Sequence, residues 1–394
     1  MKLIRTAITG VLLLLAGFAN TLSAAPRFTN AIIQGGNLVL KGSGGLSYCP
    51  YNLLTSSNLA SPQSEWLVTA TNIFDSNGLF ILTNAVNLST SRQFYALQTP
   101  SSSNSLWIPP CGAWLGNTDD HSSTVKSQIG RSLDVIHFYN GTATNLSSTE
   151  LTFIASGQKL LINFIPSTNW AWAAGVANGG KSSVDAAMTN FANSVAGIKP
   201  AEVMLIVLGE QERYVTGGGG NEDSPGSGTA AQFVAMSQNV WNIFRARGAT
   251  NVIWCWDVTG GDLQSLYASL WPGNSYVDWV MWDPYQDSTT SFTNKVISDY
   301  NWLLSHSTAT CNWASKPWGL AEWGIGLNTN WVPTVAIQTN AFNELNSALN
   351  NYDQMPKIKL FAMFDESYSI LLAGAAPAYS NLANSTYLLQ HCSP

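Results

Sequence analysis

The chain has 394 residues, 45% of them hydrophobic, which allows a large core and is too long for one small domain. Only 10% are charged, the net charge is −6 and no basic run occurs, so composition excludes electrostatic capture of nucleic acid.

Met1 to about Ala25 has the form of a secretory signal peptide (residues 1–25). Lys2 and Arg5 make a positive start, Val11 to Ala16 an apolar centre, and Ser23-Ala24-Ala25 a small-residue end. The apolar run is short for a membrane span, and no later stretch could cross a bilayer. The mature chain is expected to be secreted, extracellular or periplasmic, and monomeric. Five cysteines (Cys49, Cys111, Cys255, Cys311 and Cys392) include no CxxC pair, so zinc is not expected and the odd count leaves one thiol over. Cys255 lies in an apolar run and reads as packing; Cys311 with Cys392 is a candidate disulfide.

Residues 27–98 read as a small all-β sandwich. Short strand candidates at Leu38–Leu40, Glu65–Thr69, Leu79–Leu82 and Phe94–Leu97 are separated by Gly/Asn/Ser turns. Thr99 to Ser105 reads as a linker, residues 99–105. From 106 to 394, apolar strands alternate with helical patterns. The strands fall near Leu106–Trp114, Leu133–Phe138, Lys159–Ile165, Val203–Glu210, Asn251–Asp257, Val277–Asp283, Pro317–Glu322 and Lys359–Phe364. A helix from Thr229, its cap, to Gly248, its stop, is one of the connectors; Ser183–Val195 and Ser291–Leu304 are others. Eight such units close most economically as a (β/α)8 TIM barrel, giving an α/β fold preceded by the β-sandwich. An open doubly wound sheet is the alternative, without the GxGxxG of its dinucleotide-binding form.

Two of the strands run into acid. In Val203 to Glu210, alternation puts Met204, Ile206, Leu208 and Glu210 on one face; in Trp318 to Glu322, it does the same for Trp318, Leu320 and Glu322. Carboxylates ending barrel strands four and seven face each other across the mouth, the pair that glycoside hydrolysis needs. Alternation also places Glu212 beside Glu210, and it reads as a binding or supporting residue. His137 and Tyr139 end strand two and are candidate substrate contacts, although a satisfied core histidine fits His137 equally well. Sixteen tryptophans suit a groove that stacks sugar rings. Trp170, Trp172 and Trp323 are candidate platforms or core residues. Gly217 to Gly220 lacks a following GK[ST] and reads as a loop rimming the cleft. His121, His137, His306 and His391 show no metal-ligand spacing, and no GxSxG occurs. No metal or organic cofactor is expected.

Longer phrases carry a resemblance. Phe244 to Trp256, Trp271 to Val280, Asp283-Pro284-Tyr285 and Lys316 to Gly324 resemble the strand-five to strand-seven phrases of glycoside hydrolase family 26. The resemblance implies Glu210 as acid/base, Glu322 as nucleophile, Tyr285 as a hydrogen-bond donor to the nucleophile and Trp256 as a cleft-lining aromatic. It further implies a retaining endo-β-glycosidase acting on a polysaccharide, β-1,4-mannan or glucomannan first, with β-1,3-xylan or β-1,3/1,4-glucan as alternatives. Gly209 stands where the family usually has His, which removes a polar partner from the first subsite. A non-catalytic polysaccharide-binding barrel is the rival from another class. The stretch Arg92–Leu97 resembles the ends of N-terminal β-modules in secreted bacterial proteins and implies no activity.

Overall fold

The computed structural model describes residues 26–45, 49–75, 77–85, 92–99, 106–109, 111–119, 121–142, 145–175, 181–216, 227–261, 263–286, 290–326, 332–350, 355–366 and 369–389. The signal segment, linker residues 100–105, Gly217 to Gly220, His391 and Cys392 lie outside the described residues. The chain divides into two compact units, one reaching to Gly112 and the other running Ala113–Leu389.

The first unit holds β1 (Arg27–Gln34), β2 (Asn37–Ser43), β3 (Pro50–Ser56), β4 (Leu67–Ile73), β5 (Phe80–Ala85) and β6 (Phe94–Gln98). They form two antiparallel three-stranded sheets, β1-β2-β5 and β4-β3-β6. Alternate side chains, among them Leu38, Leu40, Tyr51, Leu53, Phe80 and Leu82, make a buried core. Two strands escaped the sequence reading. β1 is exposed at most positions, so it shows no buried face, and its hairpin is announced only by Gly35 and Gly36, both at positive φ. Cys49 is disulfide-bonded to Cys111. The expected Cys311–Cys392 pair is therefore not supported at Cys311, which is buried as a free thiol. Connectivity depends on which strand ends meet, and spacing carries no record of that.

In the second unit, β7 (Trp114–Thr118), β8 (Val135–Asn140), β9 (Lys159–Phe164), β10 (Val203–Val207), β11 (Val252–Val258), β12 (Trp279–Trp282), β13 (Tyr285–Gln286), β14 (Trp318–Leu320), β15 (Gly324–Ile325) and β16 (Ile358–Met363) follow one another. Eight of these close a parallel barrel in the order β7-β8-β9-β10-β11-β12-β14-β16. β13 and β15 pair with each other just past the ends of β12 and β14. The first barrel strand begins at Trp114 and not at Leu106, because Pro109 and Pro110 have no N–H to give a ladder.

The connecting helices start and stop where side chains can satisfy loose backbone groups. Thr229 and Gln232 form a reciprocal cap on Ala230–Ala246, and Gly248 at φ 73° follows its end. Ser291 caps Phe292–Ser305. Outward strand residues Val203, Leu205 and Val207 join Phe191, Val195 and Phe244 of the helices in one apolar core. The barrel interior is narrow: a Cβ on Gly116 would lie 3.0 Å from the Ala362 Cβ, and one on Gly319 would lie 3.2 Å from the Leu360 Cβ. Side chains fill the interior, so chemistry is left to the turns above the strand ends.

Candidate active site

β10 ends at Val207, three residues before Glu210, and β14 at Leu320, two before Glu322. Strand alternation therefore does not aim either glutamate. On the first turn Leu208 and Glu210 both take left-handed backbone, φ 56° and 52°. Each such non-glycine residue costs about 1 kcal/mol or more and persists only where its surroundings hold it. This turn carries Glu210 to the mouth and opens a short 3-10 helix, Gln211–Tyr214. Arg213 Nη1 donates to Glu210 Oε2 at 3.1 Å, and both side chains remain partly exposed.

Glu322 is held from three sides. Tyr139, on β8, donates from its hydroxyl to Oε1 at 2.7 Å, and Tyr285, on β13, to Oε2 at 2.6 Å. The Glu322 backbone N–H donates to Asp283 Oδ1 at 2.8 Å. Phe364 braces both tyrosines, with ring centroids 6.2 and 6.0 Å away, edge to face. A cavity of about 480 Å³ lined by Asp119, Phe138, Tyr139, Phe364 and Glu366 opens beside this cluster.

Burial pushes the Glu322 carboxyl up to about 7. The charge of Glu210 adds to the rise, while the two tyrosine hydroxyls and Arg213 oppose it. Burial and the Glu322 charge push both tyrosines well up, so they stay protonated donors. Burial pushes Glu212 up to about 7 as well, against hydrogen bonds from the Thr259 N–H and hydroxyl. Burial pushes His137 down to about 3, and its Nδ1 sits 3.0 Å from the Ala321 carbonyl, so the neutral ring donates there and steadies the segment before Glu322.

The structure brings together Glu210, Glu322, Tyr139 and Tyr285, and places His137 beneath them. Four other candidates go elsewhere. Trp256 is 2% exposed and turned outward, donating from Nε1 to the Leu270 carbonyl and stacking on Trp313. On β11 the inward parity belongs to Asp257, so the cleft-lining reading of Trp256 is corrected. Trp170 is fully buried edge-on to Phe233, and Trp323 is fully buried against Phe292, Phe342 and Tyr379. Neither can stack on a sugar. Trp172 is half-buried. Glu212 is fully buried on Thr259, and so supports a loop without facing a ligand. His137, 1% exposed, likewise acts from below and not as a surface contact.

Arg213, Asp257, Asp283 and Phe364 were missed. Parity with the inward Cys255 could have found Asp257, and its place three residues after Glu210 could have found Arg213; Phe364 becomes legible only once the barrel closes. Among the described residues no group of three or more His, Cys, Asp or Glu is arranged to hold a metal ion.

No family model matches the chain. Endoglucanase H of Acetivibrio thermocellus is 28% identical over 255 residues, 61% of this chain, and the chain spans about a quarter (26%) of that protein's length. Among solved structures, a modular endo-β-1,4-mannanase from Cellulomonas fimi matches with TM-score 0.54 and 13% identity, covering 69% of this chain and 70% of that one. The family 26 domain of an endo-β-mannanase/endo-β-glucanase from Prevotella bryantii gives 0.51 and 14%, covering 69% and 89%. A family 26 β-mannanase from Bacteroides ovatus gives 0.50 and 18%, covering 70% and 89%. At these identities the likeness is one of fold. The motif resemblance to glycoside hydrolase family 26 thus has a counterpart in three dimensions: this chain's barrel is similar in fold to those of family 26 mannanases.

Proposed function

We propose that the barrel is a retaining endo-β-glycosidase acting on a β-linked polysaccharide. The observation that carries the reading is Glu322 gripped by two tyrosine hydroxyls, with Glu210 near enough for its charge to raise the Glu322 carboxyl. In this reading ionised Glu322 attacks the anomeric carbon while Glu210 gives its proton to the departing glycosidic oxygen. Glu210 then takes a proton from the water that releases the glycosyl group. The first step needs the proton on Glu210 and the charge on Glu322. The tyrosine donors favour that arrangement, whereas Arg213 favours charge on Glu210 and suits the second step, where Glu210 is the base.

The aligned relative is named an endoglucanase, and its identity exceeds that of the mannanases, whose likeness is one of fold. We therefore place β-glucan, including mixed-linkage β-1,3/1,4-glucan, ahead of β-mannan and glucomannan. This reverses the order the resemblance implies. The N-terminal signal pattern supports secretion toward such polymers.

Reducing ends released from mixed-linkage β-glucan, mannan, glucomannan and β-1,3-xylan test the function, with wild type beside Glu322→Ala and Glu210→Ala. Activity on one polymer, lost in both variants, with the first product in the β configuration, is expected. Binding without release would favour the non-catalytic barrel, and an α first product would overturn the retaining mechanism.

A further inference from the structure

Two buried carboxyls, Asp257 at the end of β11 and Asp283 just past β12, are used by no step above. Both are 2% exposed. Each carboxyl lies close enough to act on the other, and burial pushes both well up. Asp257 Oδ1 and Asp283 Oδ2 are buried with no hydrogen-bond partner among the described residues. Two ionised acids side by side in a buried site would repel and both would be stripped of water, so a single proton between them is the arrangement that gives the orphaned oxygens a partner.

The pair touches both catalytic turns. Asp283 Oδ1 accepts the Glu322 N–H at 2.8 Å. On the other side, a Cβ built on Gly209 would lie 2.7 Å from Asp257 Oδ2 and 3.1 Å from Asn163 Nδ2. The Gly209 N–H donates to Asn163 Oδ1 at 3.0 Å. The Asp257 carboxyl thus occupies the volume a side chain at 209 would need, between left-handed Leu208 and Glu210. The charged groups that act on the pair are Glu210 and Glu212 on the β10 side and Glu322 on the β14 side, with Arg213 paired with Glu210 and acting on the other two acids.

We propose that Asp257 is a positioning residue: sharing one proton with Asp283 and seated against Gly209, it spans the turns of Glu210 and Glu322 and sets their separation. The inference rests on the glycosidase reading and adds a third acid that never touches substrate. It also explains why position 209 carries no side chain, since even a methyl there would collide with the Asp257 oxygen.

The test uses the full chain and the polymer on which wild type is active. Asp257→Ala is expected to lower kcat about 10- to 100-fold with KM nearly unchanged, since small misplacements of reacting groups carry losses of that size. Asp257→Asn keeps the shape, and its amide can donate to ionised Asp283, so the net charge is the same as for one shared proton. It should hold kcat within about threefold and leave the acid limb of the pH profile in place. A fall in that limb by about one unit would show that both acids had been ionised and would overturn the shared proton. Gly209→Ala should lower kcat, and its penalty should shrink in the Asp257→Ala background; additive losses would overturn the contact. Wild-type kcat in a folded Asp257→Ala would overturn the positioning role alone, whereas an inactive wild type would overturn the glycosidase reading beneath it. Should Asp257→Ala not fold, Asp257→Ser takes its place, alone and in the Gly209→Ala background, with the same outcomes deciding.

Discussion

The turn after β10 and the turn after β14 begin alike, a short apolar strand followed within three residues by glutamate, and end in different states. Glu210 sits on strained left-handed backbone, partly exposed and paired with Arg213 on its own turn. Glu322 takes its partners from elsewhere in the barrel, two tyrosines and an aspartate from other strand ends. The first arrangement suits an acid that must exchange its proton; the second suits a nucleophile that must hold one position and one charge. Glu210 is set by its own turn, whereas the side chains that hold Glu322 come from other strand ends.

Glu322→Gln is the sharpest way to break the contrast. It removes the attacking oxygen while leaving an acceptor for a tyrosine, and should cost at least ~10³-fold in kcat with the fold and substrate binding retained. Glu210→Ala should cost about 10²- to 10³-fold on polymer, but much less on an aryl glycoside whose leaving group needs no proton. Equal losses on both substrates would mean that Glu210 is not the acid.

The tyrosines sharpen it further. Tyr285→Phe should lower kcat by about 10- to 100-fold, and Tyr139→Phe, whose residue is 40% exposed, by less than ~10-fold. With either donor gone, Glu322 loses an interaction that favours its charge, so the acid limb of kcat/KM, expected near the value of about 7, should move to higher pH. A limb that stays put in both variants would place the limiting titration on another group.

The smallest effect on catalysis is expected at Glu212, which holds Thr259 and faces no substrate. Its folded carboxyl titrates at about 7 against an ordinary 4.5. Between those values the folded chain binds more protons than the unfolded one, so stability falls as pH rises through this window and levels off above 7. The contribution lost is roughly 3 kcal/mol, from a shift of about 2.5 units at 1.36 kcal/mol each. Glu212→Gln keeps an acceptor for Thr259 and removes that slope; Glu322, shifted the same way, keeps its own. Urea midpoints at pH 5 and pH 8 should therefore differ less in the variant than in wild type, while kcat stays within a few-fold.

The sequence by itself determined the barrel, the small β unit ahead of it, the Thr229 cap and the two short apolar strands that each lead into a glutamate. These follow from period, turn chemistry and capping, all local to a few residues. Tyr285 was legible only through its neighbours' resemblance to a family phrase. Tertiary structure alone decided that Trp170, Trp256 and Trp323 pack in the core, that Cys49 meets Cys111, and that Asp257 and not Trp256 points inward. The physical reason is that strand alternation ends where the backbone turns left-handed at Leu208 and Glu210, and past that point a side chain's direction is set by contacts with residues far along the chain. Tyr139 lies 183 positions from Glu322, and only the closure of eight strands brings its hydroxyl to the carboxylate.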